Sequence, residues 1–275
     1  MTTDPAALSV ELREIALAAA RQAARLVRER AAAGVTVTDT KSSDVDVVTQ
    51  ADRDSETLIR RLIREQRPDD GFFGEEGAEE VGTSGVRWVI DPIDGTVNFV
   101  YGLPEYSVSV AAEVDGRIDA GVVVNVATGV EHTAWRTDDG VESRRDGQRI
   151  GVRPPAPLAQ RLVITGFSYD AELRELQARA LVRLIPHVRD IRRHGSCALE
   201  LCHLADGQAD AYVEEGVNLW DYAAGLLVAE GAGARVEKLP GAGGRELVVC
   251  APEHGFEEFR DAVVAAGYTA PDAVA

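Results

Sequence analysis

Apolar residues Leu8, Leu12, Ile15, Ala19, Ala23 and Leu26 recur at helical spacing, which predicts an amphipathic helix over residues 6–33 that ends before Gly34. A second helix is predicted from Thr49 to Glu65, with Leu58, Leu62 and Ile63 on its buried side and Pro68-Asp69-Asp70-Gly71 as its stop. Between them runs KSSDVDVVTQAD, a polar segment that neither helix needs. From Phe72 to Ile150 the pattern is mostly extended (FFG, RWVI, EYSVSVAAEV, RIDAGVVVNV, EHTAWRT), with turn signals at Asp115-Gly116, Asp139-Gly140 and Asp146-Gly147, and reads as an antiparallel meander. After Pro154-Pro155 strands and helices mix: strand RLVITG, helix 171–185, a strand near 188–192, helix 196–206, strand DAYVE, helix 219–231, strands ARVEKL and ELVVCA, and helix 255–266. The expectation is one domain over residues 1–275, divided at a Pro-rich hinge near 152–158 into a helix-plus-meander half (1–153) and a mixed α/β half (154–275).

Composition narrows the function classes. At 275 residues and 45% apolar content the chain can bury a large core, and no apolar run is long enough for a membrane span. The N-terminus carries acidic residues where a signal peptide would be basic, so a cytoplasmic location is expected. Three cysteines without CxxC spacing fit a reducing compartment and argue against zinc. With 29 basic and 46 acidic residues the formal net charge is −17, which speaks against nucleic acid or an anionic membrane as partner. An acidic protein still accepts an anionic small molecule if cations stand between them.

Several familiar motifs are absent: there is no GxxxxGK[ST], no GxSxG and no HExxH, and the five histidines are scattered. What remains is a set of acids at the edges of apolar segments: Asp52 in VTQAD, Glu75-Glu76 in FFGEEG, Asp91 and Asp94 in WVIDPIDGTVNF, and Asp221 in LWDYAAG. Singly, each has a structural reading: a first-turn helix acid, a solvated patch, turn chemistry, a helix cap. If they converge, their repulsion is on the order of 4 kcal/mol per pair at about 4 Å, and bound cations would relieve it. Oxygen donors without Cys or His select Mg2+, Mn2+ or Ca2+. The DPIDGT stretch can place Asp91 and Asp94 on one site, offer the Ile93 carbonyl, and present the Gly95 and Thr96 N–H groups at a helix start, where phosphate binds.

Together GEE, DPIDGTVNF, GSCAL, DAYVEEGVNLWD and WDYAAG, in this order, resemble the inositol monophosphatase family of Mg2+-dependent phosphatases. The resemblance runs from KSSDVDVVTQAD to the C-terminal VVCAP. It implies an αβαβα layered sandwich, two or three Mg2+ ions per site, a homodimer and inhibition by lithium. It further implies Glu75, Asp91 and the Ile93 carbonyl as ligands of a first ion, with Asp91 bridging to a second ion held also by Asp94 and Asp221, and Glu75 touching a third through water. Thr96, backed by Asp52 and Glu75, would position the attacking water. Gly95 and Thr96 would hold the phosphate, the Gly195-Ser196-Cys197 backbone would line the pocket, and Glu214 would bind ring hydroxyls.

Two departures stand out: Val97 follows DGT where the family often has Thr or Lys, and Cys197 stands where a small residue such as Ala is usual. Val97 and Glu214 lean toward an inositol ester as the small-molecule substrate, hydrolysed to inositol and phosphate. The alternatives are a phosphatase for histidinol phosphate or fructose 1,6-bisphosphate, and a cation-binding regulatory protein without catalysis.

Overall fold

The structure is a computed structural model and describes residues 4–34, 37–40 and 47–270; residues 41–46 of KSSDVDVVTQAD, where the family resemblance is expected to begin, lie outside the described residues. Helix α1 spans Pro5–Ala33, capped by the Asp4 carboxylate, and Gly34 ends it. Two short strands, β1 (Val37–Thr40) and β2 (Val47–Thr49), pair antiparallel ahead of helix α2 (Gln50–Arg64). On α2 the fully buried apolar side chains are Ile59 and Ile63, whereas the predicted Leu58 and Leu62 are only half-buried. Next come β3 (Gly71–Gly74), β4 (Val86–Asp94), helix α3 (Thr96–Tyr101), β5 (Ser107–Val114), β6 (Arg117–Asn125), β7 (Glu131–Thr137), β8 (Gly140–Arg145) and β9 (Gln148–Arg149).

Strands β3 to β9 form one sheet in chain order. It is antiparallel as expected except at its first pair, where β3 runs parallel to β4. The loop from Glu75 to Gly85 accounts for that: it carries the chain back across the sheet, so β4 starts at the same end as β3.

The remainder holds β10 (Leu162–Thr165), α4 (Ala171–Leu184), β11 (Asp190–Arg192), α5 (Cys197–Ala205), β12 (Ala211–Glu215), α6 (Leu219–Gly231), β13 (Ala234–Pro240), β14 (Glu246–Pro252) and α7 (Phe256–Ala266). These elements fall within one or two residues of the predicted spans. Their strands make a mixed sheet in the order β11-β10-β12-β14-β13.

Period-two alternation assigns each sheet face to a different core. Trp88, Ile90, Val110 and Val122 turn toward α1 and α2, meeting Leu12, Ile15, Ile59 and Ile63. Their neighbours Val89, Ala111 and Val123 face the opposite way, onto α5 and α6, which also receive Tyr212, Val248 and Cys250 from the second sheet. Val163, Val213 and Val249 pack outward with Phe256, Phe259 and Leu184 of the α4 and α7 layer. The layers are therefore helix, sheet, helix, sheet, helix: the expected αβαβα sandwich. Among the described residues no helix is long and apolar enough to cross a membrane.

Candidate active site

Strand β4 runs beyond the extended RWVI segment and continues to Asp94, with a shift of register between Asp91 and Asp94. In a regular strand, residues three apart face opposite sides. Pro92, which has no N–H to give the ladder, sits within the irregularity, and the extra residue rephases the strand. As a result Ile93 joins Ile90 in the core under α1 and α2, while Asp94 turns to the same side as Asp91, toward α5 and α6. One carboxylate oxygen each from Asp91, Asp94 and Asp221 lies within 4.8 Å of the others.

Each of these acids is held by backbone or side-chain donors. Asp91 Oδ1 accepts from the Ile93 N–H at 3.0 Å. Asp94 Oδ2 accepts from the Ser196 hydroxyl at 2.5 Å and the Ala198 N–H at 2.7 Å, and its Oδ1 from the Cys197 N–H at 3.3 Å, so the first turn of α5 grips it. Asp221, in the first turn of α6, accepts from the Asn218 N–H at 2.6 Å. Burial raises Asp94 to about 6 against the pull of those donors. Burial, joined by the charges of Glu75 and Asp94, lifts Asp221 well above the usual carboxylate range. Three acids this close are costly unless a cation joins them, and their ligand atoms are all oxygen: the thiol of Cys197, which lines the same space, is directed at the Tyr212 hydroxyl, 3.0 Å away. The donor set therefore fits a hard divalent cation.

Thr96 stands beside this trio. Its hydroxyl lies 3.1 Å from Asp52 Oδ1 and 3.0 Å from the Ile93 carbonyl oxygen. Asp52 is fully buried, and its Oδ2 accepts from the Thr49 N–H at 2.8 Å and the Thr49 hydroxyl at 2.5 Å. Gly95 caps α3 with φ of +90°, and a Cβ there would stand 2.9 Å from the Glu105 carbonyl oxygen and 3.0 Å from that of Gly195, so no other residue fits this corner.

A cavity of about 710 Å3 opens over these groups. Glu75, Asp91, Ile93, Asp94, Gly95, Thr96 and Asp221 line it together with Gly195, Ser196, Cys197 and Glu214. Of the candidate residues read from the sequence, Asp52 and Glu76 do not line it, and Asp52 reaches it through Thr96. Two of the backbone N–H groups expected to line the pocket are committed elsewhere: that of Gly195 donates to Glu200 at 3.0 Å and that of Cys197 to Asp94. Burial pushes Glu214 up to about 7, with the Tyr212 hydrogen bond pulling down.

Several residues that organise the site carry no clear mark in the sequence. Glu200, almost fully buried, accepts from the N–H groups of His194 and Gly195 and fixes the loop that brings Ser196 to Asp94; an acid in the first turn of α5 is its only sign. Arg193 and Arg245 are the two cations lining the cavity among the described residues, and Arg193 draws both Asp94 and Glu214 toward ionisation. Glu56 holds the loop that carries Glu75: it accepts from the Glu76 N–H at 2.8 Å, the Gly77 N–H at 3.0 Å and Arg60 Nε at 2.7 Å. Glu56→Ala leaves the buried Arg60 without its closest anion. It is expected to cost about 3 kcal/mol of stability, read as a lower urea midpoint with an unchanged m-value; a loss below about 1 kcal/mol would show that Glu56 does not anchor this loop.

The model of the inositol monophosphatase family matches residues 9–266. The chain belongs to the inositol monophosphatase family. Inositol-1-monophosphatase SuhB of Mycobacterium tuberculosis is 44% identical over 264 residues, covering 90% of this chain and 91% of that protein. Nus factor SuhB of Pasteurella multocida is 40% identical over 224 residues, covering 81% and 83%. Among solved structures, Mycobacterium tuberculosis SuhB superposes with a TM-score of 0.81 at 39% identity, covering 94% of this chain and 98% of that one. The extragenic suppressor protein suhB of Bartonella henselae gives 0.82 at 30% identity, covering 91% and 97%. As an inositol monophosphatase family member the chain is a phosphatase, and the acidic trio is the place in it that can hold the family's metal.

Proposed function

We propose that this inositol monophosphatase family member hydrolyses myo-inositol 1-phosphate to inositol and phosphate with Mg2+ as its cofactor. One juxtaposition carries the reading: the Asp91, Asp94 and Asp221 carboxylates, which would hold a divalent cation, share a cavity with Glu214, a carboxylate able to accept from a polyol. The relatives named inositol-1-monophosphatase at 44% identity support it.

In this reading Glu75, Asp91, the Ile93 carbonyl, Asp94 and Asp221 would hold two or three Mg2+ ions. When bound, the metal supplies Lewis-acid stabilisation of the phosphoryl oxygens and lowers the pKa of water. The rest is done by the chain. Thr96, its hydroxyl tied to Asp52 and Ile93, orients the attacking water in line with the ester oxygen, assisted by Glu75. The Gly95 and Thr96 N–H groups at the start of α3 receive phosphate oxygens. Ser196 keeps Asp94 turned to the cavity, Gly195 and Cys197 form the wall, and Glu214 accepts hydroxyl protons of the sugar ring. The resemblance leads us to propose further a homodimeric, lithium-sensitive, cytoplasmic enzyme with the whole chain as one phosphatase domain.

A panel of inositol 1-phosphate, histidinol phosphate, fructose 1,6-bisphosphate and adenosine 3′,5′-bisphosphate tests the substrate. The highest kcat/KM is expected on the inositol ester, with activity lost in EDTA and restored by Mg2+. Full activity in EDTA would remove the metal, and a preference for the sugar bisphosphate would remove the substrate assignment. Glu214→Ala is expected to raise KM for the inositol ester at least about tenfold and to leave an aryl phosphate nearly unaffected.

A further inference from the structure

Cys197 is not a passive filler. It opens α5 directly above β12, and its sulfur lies 3.0 Å from the Tyr212 hydroxyl. The same hydroxyl lies 2.9 Å from Glu214 Oε2. Tyr212 and Glu214 are two apart on β12 and so face one side, toward α5. Tyr212 is completely buried and Cys197 nearly so, which leaves them each other and Glu214 as partners.

The polarity of this chain is set by counting protons. A phenol has one proton to give, and a carboxylate has none. When Glu214 is ionised, Tyr212 donates to it and the Cys197 thiol is left to donate to the Tyr212 oxygen. One oxygen of Glu214 is thereby fixed, and the other is left to the cavity. The neighbouring strand completes the seat. Thr165 of β10 pairs with Val213, which sets Gly166 beside Glu214, and a Cβ on Gly166 would fall 1.9 Å from Glu214 Oε1. Only a residue without a side chain lets the carboxylate lie there.

We propose that Tyr212, oriented by Cys197, is the positioning residue that sets Glu214 for polyol recognition and so determines which esters this site prefers. The inference rests on the proposed role of Glu214. Tyr212 touches no substrate atom. It acts by holding one Glu214 oxygen in place as an acceptor, so that the sugar ring meets a fixed carboxylate and not a mobile one.

The test compares KM and kcat for inositol 1-phosphate and para-nitrophenyl phosphate in five proteins: wild type, Tyr212→Phe, Glu214→Ala, their double variant and Gly166→Ala. Tyr212→Phe keeps the ring and its packing. It is expected to raise KM for the inositol ester about tenfold, with kcat on that ester within about twofold and the aryl phosphate unchanged in both constants. In the Glu214→Ala background the same change is expected to do nothing more, because its only route is through Glu214. Gly166→Ala, which displaces the carboxylate without touching Tyr212, is expected to reproduce the KM effect. If Glu214→Ala raises KM and Tyr212→Phe does not, or if Tyr212→Phe adds its full effect to Glu214→Ala, the positioning role is overturned and the substrate reading stands. If neither variant discriminates between the two esters, both fall.

Discussion

Asp94→Asn is expected to lower kcat/KM for phosphate release about a thousandfold, a loss near 4 kcal/mol of transition-state stabilisation. Asparagine matches aspartate in shape, so the fold around it persists, but it brings one oxygen and one NH2 where Asp94 brings two acceptors. The first turn of α5 presents three donors to this side chain, from Ser196, Cys197 and Ala198. An amide nitrogen facing any of them puts donor against donor, and the cation site loses a full negative charge. The metal-free variant should stay folded with stability within about 2 kcal/mol of the parent's, since relief of a buried charge beside two other acids offsets the donor left without an acceptor. Circular dichroism and a thermal melt check that, and a Mg2+ titration of phosphate release reads the activity. Activity above about a tenth of the parent's at saturating Mg2+ would place the second ligand elsewhere.

Thr96→Val is the other large effect expected. Valine is isosteric with threonine and keeps the start of α3, but it removes the hydroxyl that lies 3.1 Å from Asp52 and 3.0 Å from the Ile93 carbonyl. If that hydroxyl orients the attacking water, kcat falls about a hundredfold while KM moves less than about twofold. Asp52 retains both of its bonds from Thr49, so its burial stays tolerable and stability drops by only about 1 kcal/mol. An unchanged kcat would confine Thr96 to a structural part. The split between kcat and KM also separates this position from Glu214, where KM carries the effect.

Most of the elements are legible in the chain because their periodicity is a direct imprint of one-sided burial. Helix α6 occupies the predicted residues, 219–231, since its apolar run is bounded by a capping acid and by a glycine. What periodicity does not carry is the identity of a strand's neighbour, and so the parallel pairing of β3 with β4 departs from the expected meander. The buried face of α2 lies one residue away from the one its leucines suggest: Ile59 and Ile63, one turn apart, point inward, and Leu58 flanks them. The candidate ligands are legible because DPIDGT concentrates unusual residues in one place. Glu56, Glu200 and Tyr212 are not, for the contacts that give them their place in the site reach residues 20, 5 and 15 positions away, and nothing in the neighbouring sequence ties them to those partners. Asp52 and Asp221 fall between these two cases. Both sit at the third position of a helix and accept from the backbone N–H three residues before. The helix-cap reading and the active-site reading of these acids describe the same bond, which orients the carboxylate.

The sandwich also has a consequence in time. Asp91 and Asp94 come from the first sheet, Glu214 from the second, and Asp221 from the helix layer between them. A nascent chain emerging from the ribosome N-terminus first displays the two β4 aspartates well before the residue that closes the trio exists. Until α6 has emerged and docked, the growing polypeptide has the acids of the site in separate places, and no partial product of synthesis can assemble it.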